Sequence, residues 1–298
     1  MDISLFEVIG PVMVGPSSSG TAGMARLGLA AREFLDGPVK SIDLKFHPRN
    51  SSYAGLRSHL GLIGGVLGIR EYDPQLRHAM ELAKQQGITL SASRFKEPLP
   101  KSGLTVRLSM TQVSGKRRDV TGVSVGGGSI AVIGVDDFDV ELSSTARHLF
   151  VWADTDVSAA LETAVPQATA RRSDSKNGKY LFYMDIPLDL DAAVTDRVLR
   201  LDGVTEAKII EPFLQLGYLA REPLFTTYAQ LIARAEQEHK TVPELAIEYE
   251  IQRSGRSRRD IWDQMAQNLA YMRETVETGL TQDIKTLFGF GTGCDGKK

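Results

Sequence analysis

The sequence predicts an α+β protein of two or three domains, and three observations carry that expectation. Stretches such as "VKSIDLKF" and "LTVRLSMTQV" alternate apolar and polar residues as strands do, whereas other stretches repeat apolar residues every three or four positions as helices do. The length is 298 residues, and domains of ~100–150 residues divide it into two or three. Hydrophobic residues make up 42% and charged residues 24%, the profile of a packed chain and not of a disordered one. A net charge of −2 gives no bulk attraction to nucleic acid. The basic clusters "GKRRD" (115–119) and "RSGRSRRD" (253–260) are short, have acidic neighbours, and read as solvated surface. No window approaches the ~18 apolar residues of a membrane span. The first residues lack the basic region and apolar core of a signal peptide, so no membrane partner and a cytoplasmic location are expected.

In chain order, residues 3–14, "ISLFEVIGPVMV", are an apolar opening that ends in Pro and Gly. Residues 22–35 carry Met24, Leu27, Leu29, Ala30 and Phe34 at helical spacing, and Gly37-Pro38 stops the helix. A strand follows at 39–46. Residues 58–70, "SHLGLIGGVLGIR", are apolar with glycines at 61, 64, 65 and 68. Glycine weakens a helix by about 1 kcal/mol, so this pattern predicts a buried helix pressed against other backbone. "DPQLRHAMELAKQQG" (73–87) reads as a helix with Pro74 in its first turn and Gly87 at its end. Strands at 104–113 and 120–135, the latter running through a triple glycine, complete an expected antiparallel sheet.

Residues 146–211 read strand, helix, hairpin turning at Asn177-Gly178, helix, strand, which is the βαββαβ order of ferredoxin-like folds. From 224 the chain is helical. Thr241 with Glu244, and Ser257 with Asp260, stand at capping-box spacing. Ile261, Met265, Leu269 and Met272 form one apolar stripe on the last helix, which Gly279 is expected to stop.

Two segments could carry chemistry. "GPSSSGTAG" (15–23) sets Ser17, Ser18, Ser19 and Thr21 between glycines at the start of a helix, where unpaired N–H groups and the helix dipole favour an anion; ordinary capping is the other reading. "GVSVGGGSI" (122–130) places Gly126, Gly127, Gly128 and Ser129 where a backbone could approach a ligand or form a bulge or corner. The five histidines show no metal-ligand spacing, and there is no nucleophile elbow. The single cysteine, Cys294, excludes an intrachain disulfide or a cysteine-held cluster built by this chain alone.

Together these stretches resemble a known family. "FEVIGPVMVGPSSSGTAGMARLGLAAREF" and "SGKRRDVTGVSVGGGSIAV" resemble the β domain of bacterial iron–sulfur L-serine dehydratases, and "SHLGLIGGVLGI" stands where that domain has its glycine-rich helix. The βαββαβ stretch resembles the ACT-type domain that follows in many members. "YAQLIARAEQEHKTVPELAIEYEIQRSGRSRRDIWDQMAQNLAYMRETVETGL" resembles the first helices of the catalytic α domain. The resemblance implies a β-like domain at 1–145, an ACT-like domain at 146–213 and an incomplete α domain at 224–298.

It also implies a carbon–nitrogen lyase of amino-acid metabolism and gluconeogenesis, converting L-serine to pyruvate and ammonia with a [4Fe–4S] cluster acting as Lewis acid. The chain would supply the β, or regulatory, part, with Ser17, Ser18, Ser19 and Thr21 facing Gly126, Gly127, Gly128 and Ser129 around L-serine or a related small amino acid or anion. A homodimer is expected. The other reading is a diverged, non-catalytic binding protein for such a ligand. The chain departs from the family pattern at Gly20 and at Leu56, both histidine in the family, and at "LPKSG" (99–103). The cluster cysteines of the family belong to a part of the α domain beyond this resemblance, so either the sequence is truncated or a separate α polypeptide supplies them.

Overall fold

The computed structural model describes residues 4–9, 12–48, 54–95, 104–142, 146–212, 223–282, 284–285 and 291–292. The chain forms two compact units, one of Met1–Val12 with Gln215–Lys298 and one of Met13–Leu214. Helix α1 (Leu5–Ile9) belongs to the former.

The unit of Met13–Leu214 opens with a wide π-helical turn, Ser18–Ala22, that runs into α2 (Gly23–Arg32). Strand β1 (Val39–Phe46) and α3 (Ser58–Val66) follow, and then a 3-10 turn (Pro74–His78) leads into α4 (Ala79–Gln85). Strands β2 (Thr89–Arg94), β3 (Thr105–Gln112), β4 (Arg117–Gly126), β5 (Ser129–Val135) and the short β6 (Phe138–Asp139) complete a sheet of order β2-β1-β3-β4-β5-β6. The sheet is mixed, because β2 runs parallel to β1 while the other pairs are antiparallel. The sequence reading expected an antiparallel sheet and missed β2. An exposed edge strand such as "TLSASR" has no buried face to impose apolar alternation.

The glycines of α3 act as the sequence predicts. A Cβ on Gly65 would lie 2.1 Å from the Ala25 carbonyl oxygen, and one on Gly28 would lie 2.3 Å from that of Leu62. Helices α2 and α3 therefore touch backbone to backbone. This contact lets Met24, Leu27, Leu62 and Val66 share one core with Ile42, Leu44, Leu108 and Val132 from the sheet.

Strand β7 (Arg147–Ala153), α5 (Ser158–Ala164), β8 (Thr169–Lys176), β9 (Lys179–Ile186), α6 (Val194–Leu199) and β10 (Val204–Ile210) follow in the expected βαββαβ order. They form an antiparallel sheet of order β10-β7-β9-β8. The β8–β9 hairpin turns at Asn177 (φ 53°) and Gly178 (φ 75°), as that dipeptide predicts. Both faces of β7 are buried. Leu149 and Val151 pack with Leu161 and Val198 of the module's own helices, whereas Phe150 and Trp152 join the core of the first sheet. Phe34, from the turn after α2, meets Phe150 edge-to-face with ring centroids 5.1 Å apart.

An ionic network fastens the two modules at that seam. Arg118 is almost fully buried, with its guanidinium 4.2 Å from the Trp152 ring centroid. It donates to Glu206 at 2.6 Å and to Asp136. Lys116 bridges Glu206 and Asp36, and Lys208 reaches Asp36 at 2.7 Å. Burial works against ionisation of Asp36, but hydrogen bonds from the two lysines outweigh it and hold the carboxyl at a pKa of about 2.

The other unit holds α7 (Tyr228–Glu238), α8 (Val242–Ser254) and α9 (Arg258–Thr281), and Phe6 of α1, Ile247 and Ile251 of α8, and Ile261 and Met265 of α9 form a small cluster. Both expected capping boxes form. Buried Glu250 accepts from the Ser4 hydroxyl at 3.1 Å and from the Leu5 N–H at 2.7 Å, which ties α1 to α8. Gly279 does not stop α9, which continues to Thr281; a single glycine costs less than the helical hydrogen bonds on either side of it supply. The apolar stripe divides, with Ile261 buried and Leu269 and Met272 exposed. Among the described residues no helix is long and apolar enough to cross a membrane.

Gly65→Ala should cost about 1–3 kcal/mol, because the methyl lands on α2 backbone that cannot rotate away; an unchanged urea midpoint would contradict the contact. For Asp36 the folded pKa lies below the ordinary 3.8, so its stabilising contribution is complete above about pH 4 and is lost as pH falls toward 2. The difference in urea midpoint between the native protein and Asp36→Asn should shrink across that window. A constant difference would show that the ion pairs contribute nothing.

Candidate functional site

The hydroxyl-rich loop is built on local backbone geometry. Gly15 has φ +122°, and a Cβ there would lie 2.6 Å from Thr21 Cγ2, so only glycine fits at this bend. Ser17 is extended (φ −149°), and its Oγ accepts the Gly20 N–H at 2.9 Å, the usual N-cap bond. Its carbonyl accepts from both Thr21 N (2.8 Å) and Ala22 N (3.2 Å), which widens the first turn. The N–H groups of Ser18 and Ser19, first in the helical run, are those that helix geometry leaves without an intrahelical acceptor.

The four hydroxyls therefore have different fates. Thr21 is buried and donates to the Leu56 carbonyl at 2.6 Å, so its oxygen serves to join the loop to the segment before α3. Ser17 caps the turn and lies 3.5 Å from Ser19 across their Oγ atoms. Ser18 and Ser19 are half-buried.

The triple glycine proves to be both bulge and turn. The β4–β5 register slips between Ser124 and Gly126, and Gly126 pairs with Ser129 around the tip residues Gly127 and Gly128. All three glycines have positive φ, at 114°, 60° and 86°. A two-residue reversal with both central φ values positive is the hairpin turn that glycine favours.

The loop and the hairpin come together on α2. Ser124 of β4 lies against Gly23, where a Cβ would be 2.5 Å from its Oγ, and this Oγ donates to the Ser129 carbonyl at 3.3 Å. One turn further along α2, Arg26 donates from Nη1 to the Gly128 carbonyl at 3.1 Å and from Nε to Glu71 at 2.8 Å. The Glu71 carbonyl accepts from Val14 N at 2.7 Å, closing a ring of contacts around the loop. Sequence reasoning missed Arg26 and Glu71. An arginine in the middle of an apolar helix was the available signal, but no spacing rule links residues 26, 71 and 128.

Gly20 and Leu56 touch each other, since a Cβ on Gly20 would lie 2.7 Å from the Leu56 Cβ. Two residues beyond, Ser58 is fully buried at the start of α3, and its Oγ has no hydrogen-bond partner among the described residues. The stretch 99–103 and Cys294 lie outside the described residues. No group of three or more His, Cys, Asp or Glu converges among the described residues.

No family model matches the chain. Comparison with curated proteins gives 33% identity over 149 residues to "Probable L-serine dehydratase, beta chain" of Bacillus subtilis (strain 168), covering 50% of this chain and 67% of that protein. The chain belongs to the L-serine dehydratase beta-chain family. A second member, "L-serine dehydratase, beta chain" of Peptoniphilus asaccharolyticus, is 29% identical over 141 residues, 47% of this chain and 64% of that one. The matches thus span about two thirds of these beta chains.

Stability separates the hydroxyls that build this beta-chain loop from those that do not. Ser17→Ala should cost about 1 kcal/mol as a lost cap, and Thr21→Val about 1–3 kcal/mol for an unsatisfied buried carbonyl. Ser18→Ala should stay within about 0.5 kcal/mol. Equal losses in urea denaturation at all three positions would contradict these assignments.

Proposed function

We propose that this chain is the β-type component of an L-serine dehydratase, a lyase that removes water and then ammonia from L-serine to give pyruvate. The observation that carries the reading is the kinship with two dehydratase beta chains. In this reading the hydroxyl loop and the glycine hairpin form a small-anion site for L-serine or a related amino acid. The N–H groups of Ser18 and Ser19 and the dipole of the helical run face the carboxylate, Ser17, Ser19 and Thr21 shape the loop, and Gly126, Gly127, Gly128 and Ser129 form the opposite wall. Arg26 keeps that wall in register with the loop.

The chemistry belongs to a partner. A [4Fe–4S] cluster takes up to four thiolates, and this sequence has one cysteine, so the donor set does not fit and no step is assigned to a cluster on this chain. A separate α polypeptide bearing the cysteines supplies it. The domain organisation proposed is a β-like domain over 1–145, an ACT-type ferredoxin-like regulatory domain over 146–213, and helices akin to the start of the α domain over 224–298. The assembly is proposed to be cytoplasmic and to contain two copies of this chain.

Anaerobic co-expression with the cysteine-bearing α polypeptide tests the reading. The pair should bind iron and sulfide and form pyruvate from L-serine, and neither chain should do so alone. Arg26→Met should raise the KM for serine at least about tenfold with a smaller change in kcat, as expected when positioning for binding is lost. A cluster-loaded pair that forms no pyruvate would overturn the assigned substrate.

A further inference from the structure

The face of the first sheet that α2 and α3 do not cover carries an unbalanced pair of cations. Strand residues alternate sides. Ile42, Leu44, Leu108 and Val120 point into the core shared with those helices, and the residues between them line the other face. The strand register sets these residues in rows. One row runs Ser91, Asp43, Ser109 and Asp119 across β2, β1, β3 and β4. The next runs Ser93, Lys45, Arg107, Thr121 and Gly134 across β2, β1, β3, β4 and β5.

Charge is balanced in the first row. Arg117, at its margin, donates to both carboxylate oxygens of Asp119 and to the Ser109 hydroxyl, and Asp43 accepts from the Ser91 hydroxyl. The second row has no such balance. Lys45 and Arg107 stand directly opposite each other in the β1–β3 pair, and like charges so placed destabilise a sheet. Arg107 donates from Nε to Thr121 Oγ1 at 3.1 Å, and its guanidinium lies over the Phe95 ring, 5.4 Å from the centroid. One edge and one face of the guanidinium are thus held, while Nη1 and Nη2 have no hydrogen-bond partner among the described residues. Lys45 makes no hydrogen bond or ion pair among them either. Both side chains are half-buried. Thr121 is buried, and its hydroxyl, which accepts from Arg107, has no acceptor of its own among the described residues.

A guanidinium fork held in place beside an ammonium is the donor set that suits a doubly charged oxyanion. Asp43 and Asp119 confine the positive charge to one row, which favours a small anion and disfavours an extended polyanion. We propose that Lys45, Arg107 and Thr121 form a binding site for the phosphate dianion of a small molecule, on the face of the sheet turned away from α2. The anion offsets the repulsion between the two cations and accepts from Arg107 Nη1 and Nη2, Lys45 Nζ and the Thr121 hydroxyl. The site stands whether or not the dehydratase reading does.

Calorimetric titration of the full chain with inorganic phosphate tests the site, at mildly alkaline pH and with ionic strength held constant by chloride. Binding should be saturable. Lys45→Met and Arg107→Met should each weaken it at least about tenfold, the loss expected for one charge-assisted contact. Arg117→Met, on the same face but paired with Asp119, should not weaken it, and excess L-serine should not displace the phosphate. Without phosphate, Lys45→Met should unfold at the same urea concentration as the native protein or a higher one, because it removes a like-charge pair. Adding phosphate should then raise the midpoint of the native protein and not that of Lys45→Met. Absence of saturable binding, binding that both variants retain, or equal weakening by Arg117→Met would each overturn the proposal. Displacement of phosphate by L-serine would overturn it too, by placing the anion at the serine loop.

Discussion

The backbone contact between Gly28 of α2 and Gly65 of α3 is the constraint on which the beta-chain unit depends. A side chain at either position would push the helices apart, because each Cβ would land within 2.3 Å of a carbonyl oxygen. Their close approach gives one thin helical layer over the sheet, with Met24, Leu27, Leu62 and Val66 reaching the strands together. It also fixes the start of α2. Gly61 of α3 lies against the Thr21 carbonyl, and the segment leading into α3 supplies the carbonyl that takes the Thr21 hydroxyl. The loop before α2 is thus positioned by the same contact that packs the core.

The βαββαβ module is joined to that core and is not an appended domain. Phe150, Trp152, Leu181 and Tyr183 come from its sheet and pack in the first cluster, and Arg118 closes the seam against Trp152. A buried guanidinium needs opposite charge beside it, and here Asp136 and Glu206 pair its two Nη atoms from the two sides of the seam.

Much of this was legible in the sequence. Strands β1, β3, β7 and β9 follow from alternation or from continuous apolar runs, the Asn177-Gly178 turn from the φ values its residues permit, and the two capping boxes from their spacing. The glycines of α3 announced a backbone contact without naming its partner. What escaped was set by tertiary structure. Strand β2 has no buried face, and it exists because β1 offers it an edge. Arg26, Glu71 and Gly128 meet only because α2, the turn after α3 and the β4–β5 hairpin converge. The hydroxyls were visible as a group, but their division into cap, tie and half-buried wall depends on Leu56 and Gly20, which no periodicity connects.

The contact between Gly20 and Leu56 makes two departures from the family pattern into one. By resemblance both positions carry histidine in iron–sulfur serine dehydratases. In this chain the space that a side chain at 20 would enter is filled by Leu56, so any larger residue at 20 requires a smaller or displaced one at 56. A histidine restored at 20 alone would therefore meet Leu56 as a steric obstacle. The corner has an apolar contact where, by the resemblance, two imidazoles would stand, and the loop around it holds N–H donors, hydroxyls and the Arg26–Glu71 pair. N–H donors and hydroxyls of this kind can hold and orient an anion.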